Sequence, residues 1–80
     1  MKRGKDYSFG PALEKLTLAE AKQVKAEIME ELEITTAMEW YNRKKRWRNI
    51  PQWAYSVITA IFVSHGLQEA EIWHIQEIED

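Results

Sequence analysis

The stretch "LEITTAMEWYNRKKRWRNIP", residues 32 to 51, decides how the chain is read. It begins where an apolar stripe of helical period ends, passes two threonines, and runs through five basic side chains to a proline. Within it, "TAME" matches a capping box: Thr36 would accept from the amide of Glu39, and the Glu39 carboxylate would return to the amide of Thr36. A helix is expected from Thr36 to about Arg46 or Arg48, because the residues just before Pro51 are biased away from helical dihedrals.

Upstream, "TLAE" repeats the same signature at Thr17 to Glu20. From there Leu18, Ala21, Val24, Ile28 and Leu32 recur at steps of three and four, with Met29 beside them, and predict one amphipathic helix. The two helices would meet across a few residues around Glu33 to Thr35, a length that forces their axes to cross steeply. Downstream, "PQWAYSVITAIFVSH" lies between a helix-opening Pro51 and a helix-closing Gly66. It is apolar on nearly every side, which predicts a helix at the centre of a bundle. The tail "LQEAEIWHIQEIED" carries Leu67, Ile72, Trp73 and Ile75 on a partial stripe and reads as a last short helix. Residues 1 to 10, with Lys2, Arg3, Lys5 and two glycines, read as a flexible basic arm, and residues 11 to 80 as one domain.

Eighty residues allow one small core, which must be dense in large side chains; four Trp, three Tyr and two Phe supply them. The absence of Cys removes disulfides and thiolate metal sites. No apolar run has membrane-spanning length, and MKRGKDYSFG lacks the apolar stretch of a signal peptide, so a soluble, cytoplasmic chain is expected. The formal net charge of -2 is unevenly spread. Residues 35 to 53 hold five basic side chains and one acidic, a local +4, whereas residues 54 to 80 hold five acidic and none basic. Such a band speaks to partners, not to fold.

With the helices placed, residues 28 to 73 resemble the DNA-binding domains of the Cro and lambda-repressor type. The resemblance rests on the step Leu32-Glu33-Ile34-Thr35, on Pro51 and Gly66 bounding the apolar helix, and on the closing pair Ile72-Trp73. It implies an all-α bundle of four to five helices with a helix-turn-helix. It also implies a small phage-like transcriptional regulator that binds double-stranded DNA, often as a homodimer. Glu33 stands where that family usually has glycine, so the turn is expected to be one that a non-glycine residue adopts. The buried residue of the recognition helix falls at Trp40, one position later than usual.

A helix from Thr36 would turn Met38, Tyr41 or Trp40, and part of Lys44, inward. Thr36, Glu39, Asn42, Arg43 and Arg46 would then face base edges in the major groove, where Arg pairs with guanine and Asn with adenine. Thr35, Lys44, Lys45, Arg48, Asn49 and Gln52 are expected on phosphates, which position a protein without specifying sequence. Ile72, Trp73 and Ile75 are the candidate dimer interface. No metal or cofactor is called for, since His65 and His74 stand apart without ligand spacing, and no enzyme activity is expected. The other reading is an adaptor of helix-turn-helix-like fold that binds protein through the aromatic surface around Trp47 and Trp73 and has lost DNA binding.

Overall fold

A computed structural model describes residues 4–78 of the chain. In order these form β1 (Gly4–Ser8), α1 (Gly10–Leu13), α2 (Leu18–Glu31), α3 (Ala37–Lys45), β2 (Trp47–Arg48), α4 (Gln52–Ser64), α5 (Glu69–Ile72) and β3 (His74–Ile78). The fold is therefore mixed α/β and not all-α. The strands make one antiparallel sheet of order β2-β1-β3. β1 pairs Asp6 with Arg48 and Tyr7 with Trp47 on one side. On the other it pairs Gly4 with Ile78 through Ser8 with His74.

The segment expected to be a basic arm thus supplies the central strand. Lys2 and Arg3 lie outside the described residues, as does the side chain of Ile78. Local composition hid β1, because in "GKDYS" only Tyr7 is a large apolar group. What holds the strand is long-range: Tyr7 meets Tyr55 and Trp73 edge-on at 6.0 and 5.9 Å. Phe9, the next residue inward, is fully buried and makes edge contacts with Trp40, Phe62 and Trp73 at 5.7, 6.1 and 5.7 Å.

The caps form as the sequence dictates, with one difference. At α2 the Thr17 hydroxyl accepts from the Glu20 amide at 3.2 Å, and the Glu20 carboxylate accepts from the Thr17 amide at 3.4 Å. At α3 the Thr36 hydroxyl accepts from the Glu39 amide at 3.1 Å. The return bond is missing there, because the Glu39 carboxylate turns toward Arg43. α3 stops at Lys45, earlier than its reading to Arg46 or Arg48, since the Lys44 carbonyl accepts from the Phe9 amide and the Ser8 hydroxyl. Arg46 is extended, and Trp47 enters the core beside β1.

Two helix ends share one design. After α4, the Gly66 amide donates to the Val63 carbonyl and the Leu67 amide to that of Phe62, with Gly66 at φ 97°. After α2, the Glu33 amide donates to Glu30 and the Ile34 amide to Met29, with Glu33 at φ 56°. Both are Schellman motifs, in which the left-handed residue is ordinarily glycine. Glu33 thus takes up, at a cost, the left-handed conformation that glycine usually supplies. A side chain there costs ~1–2 kcal/mol in the left-handed region, and a carboxylate at a helix C-terminus opposes the helix dipole. Glu33→Gly loses part of that gain to unfolded-state entropy. The net expectation is a stabilisation of about 1 kcal/mol, seen as a higher urea midpoint at unchanged slope.

The core is Phe9, Ala12, Val24, Ile28, Ile34, Trp40, Trp47, Ala54, Ile58, Phe62 and Ile72. Two expectations about it fail. Leu18, read into the α2 stripe, is 76% exposed at the first turn. α4, read as the centre of a bundle, buries only the face of Ala54, Ile58 and Phe62, and leaves Trp53 58% and Val63 50% exposed. The tail is also not all helix. The Trp73 indole stacks on Tyr55 at 4.8 Å and donates to Thr59 Oγ1 at 2.9 Å, which holds position 73 extended and sends the chain along β1.

Candidate nucleic-acid interface

α3 is fixed at both ends and on one side. Thr36 caps its start, the end of β1 takes its last carbonyls, and Trp40 is buried against Phe9. With Trp40 inward, helical geometry aims Met38, Tyr41, Asn42 and Lys45 outward. All four are exposed, Met38 by 71%. Thr35 and Thr36 extend this ridge before the helix, and Arg46 and Arg48 continue it beyond. Met38 and Tyr41, expected to face inward, are thus part of the outer surface.

The expected base-reading residues are not brought together. Asn42 stands free on the ridge. Arg43 is half-buried on the flank, its guanidinium 4.5 Å from the Trp47 ring centroid and 3.9 Å from the Glu39 carboxylate. Glu39 is itself half-buried. Thr36 spends its hydroxyl on the helix cap. Arg46 donates from Nε to Asp6 Oδ2 at 2.9 Å.

Of the expected phosphate contacts, Thr35, Lys45 and Arg48 are exposed and Lys44 is half-buried. Lys45 Nζ donates to the Tyr41 hydroxyl at 3.1 Å and lies 5.1 Å from that ring. Asn49 has a structural task instead. At φ 53°, its amide donates to the Lys5 carbonyl at 2.8 Å and its side-chain oxygen accepts from the Lys5 amide at 3.1 Å. A Cβ at Gly4 would fall 2.5 Å from that oxygen, so a larger residue there would displace the Asn49 side chain. Gln52 donates to the Ser56 hydroxyl along α4.

Asp6, unmarked by any local motif, is the hub of the basic band. It lies on β1 opposite Arg48, with Arg46 Nε at 2.9 Å and Arg48 Nε at 3.8 Å. Its side chain is 14% exposed, while both arginine side chains are more than half exposed. One carboxylate therefore offsets part of the field of two cations. No local pattern signals it, since the contact depends on strand register between residues 42 positions apart.

The expected dimer patch does not exist as one surface. Ile72 is 1% exposed and belongs to the core, Trp73 is half-buried against Tyr55, and Ile75 alone is largely exposed. Around this aromatic cluster the Tyr55 hydroxyl donates to Glu69 at 2.6 Å. That bond to a carboxylate, aided by burial, pushes the phenol up to about 12. His65 Nε2 lies 3.0 Å from Glu27 and ties the end of α4 to α2, while His74 stands on β3. Among the described residues no group of three or more His, Cys, Asp or Glu side chains can hold a metal ion. No helix among them is long and apolar enough to cross a membrane. No family model, curated protein or solved structure matches the chain.

Proposed function

We propose that the chain binds double-stranded DNA by laying α3 in the major groove, with Asn42 and Lys45 toward base edges and Lys44, Arg46 and Arg48 toward phosphates. The observation that carries this reading is the ridge itself. A tight, doubly bonded turn after α2 and the Thr36 cap hold α3 with Thr35, Met38, Asn42 and Lys45 outward, and the basic strand β2 follows at its end. A helix of this width fits the major groove, and an exposed asparagine can make two bonds to adenine. Arg43 moves from base reading to support, since Trp47 and Glu39 hold it on the flank.

The second reading, a protein-binding adaptor, is favoured by a groove of about 580 Å³ beside the ridge. Leu13, Leu16, Leu18, Ala21 and Tyr41 line it, with Lys44 and Lys45 on its wall. Glu14 also lines it, so its charged lining is net positive by one and suits an amphipathic segment of mildly acidic character.

Titration of the chain against a pool of random duplexes at several salt concentrations separates the two. On the DNA reading, log affinity falls with log salt at about -0.9 per phosphate neutralised, so three contacts give a slope near -2.7. Asn42→Ala should cost ~1–3 kcal/mol on the preferred duplex and much less on unrelated sequences. Binding that is absent at low salt, or indifferent to salt, would leave the adaptor reading in possession of the surface.

A further inference from the structure

α4 is a surface helix of 13 residues without a single charged side chain, in a chain of which 30% is charged. Away from the core it presents Trp53, Ser56, Val57, Ala60, Val63 and Ser64; all but the half-buried Val57 are exposed. Among the described residues the other exposed large apolar side chains stand near charged neighbours: Leu18 two residues from Glu20, Met38 beside Glu39, Tyr41 against Lys45, and Ile75 two residues from Glu77.

The polar atoms of α4 are already provided for. Ser64 donates to the Ile61 carbonyl at 2.6 Å, Thr59 accepts from the Trp73 indole at 2.9 Å, and Ser56 accepts from Gln52 at 3.2 Å. Covering the face would therefore strand few hydrogen-bonding groups, which is the usual penalty for burying a surface.

Its exposed side chains run from the large Trp53 at the start to the small Ala60 and Ser64 toward the end, with Val63 the exception. An antiparallel partner with the same order of side chains sets large against small at Trp53 and at Val57. We infer that this partner is a second copy of the chain, packed α4 against α4 about a two-fold axis near residues 58 and 59. That arrangement seats Trp53 of each copy over Ser64 of the other and Val57 over Ala60, so one patch serves both sides as a two-fold contact requires. The absence of charge removes like-charge repulsion between the copies and gives a charged partner nothing to pair with. A helix about 20 Å long covers less than the ~800 Å² per partner of a standard interface. The dimer is accordingly reversible, with a dissociation constant on the order of micromolar.

Sedimentation equilibrium of the full chain without DNA tests this independently of the DNA reading. The expected result is a monomer–dimer equilibrium. Trp53→Ala should weaken it at least tenfold and Ala60→Glu should abolish it, while Leu18→Ala, a more exposed apolar position off this face, leaves it unchanged. Far-UV circular dichroism verifies that each variant is folded, and the Trp53 variant stands if the Ala60 variant is not. A monomer up to millimolar concentration overturns the proposal, as does a dimer indifferent to Trp53→Ala, or a mass that keeps growing beyond two copies.

Discussion

Phe9→Ala is expected to destabilise the protein by ~3–5 kcal/mol, the cost of deleting a fully buried aromatic ring. Phe9 has no exposed surface and touches Trp40, Phe62 and Trp73, so it joins α3, α4 and the start of β3 at one point. A domain of this size has a stability of ~5 kcal/mol, so much of the variant population would be unfolded at room temperature. Alanine keeps the backbone amide that donates to the Lys44 carbonyl at 3.1 Å, which isolates the loss to the ring. Urea unfolding followed by tryptophan fluorescence measures it. A loss below ~0.5 kcal/mol, typical of exposed positions, would remove Phe9 from the core and β1 from the fold.

Lys44, Arg46 and Arg48 changed together to alanine should reduce duplex affinity by roughly 100-fold at about 0.1 M salt and flatten the salt slope by about 2 to 3. On the proposed reading these side chains meet backbone charge and not base edges, so the loss should be equal on all sequences. The structure adds a counterpart of opposite sign. Asp6 draws Arg46 and Arg48 onto itself, so Asp6→Asn frees both and should raise affinity several-fold while steepening the slope. Fluorescence anisotropy at a series of salt concentrations reads both effects. If the triple variant and Asp6→Asn move affinity in the same direction, or neither moves it, the band is not the DNA surface.

The helices were legible in the sequence wherever a terminus carries its own chemistry. Thr17 and Glu20, Thr36, Pro51 and Gly66 mark boundaries through bonds to residues at most five positions away, and these appear where expected. The strands were not, because their cause is distant. "GKDYS" has no apolar alternation, and "HIQEI" follows a helical spacing of isoleucines at 72, 75 and 78 that looks like more helix. Each is a strand because the other is there. The site divides in the same way. The ridge follows from which of Trp40 and Tyr41 is buried, a choice left open by local spacing and made by Phe9. The capture of Arg46 and Arg48 by Asp6 depends wholly on the sheet.

The pairing of Gly4 with Ile78 also sets a timetable for synthesis. A ribosome releases β1 first and β3 some seventy residues later, so the founding strand of the sheet has two open edges until Trp47–Arg48 emerges and one until His74–Ile78 follows. Until His74–Ile78 leaves the exit tunnel, Tyr7 and Phe9 lack Trp73 as a neighbour, and the helices can assemble only provisionally around them. Contacts between such distant parts of a chain form slowly. An early nascent chain with a bare strand edge and an uncovered aromatic pair is the species most open to mispairing with others of its kind.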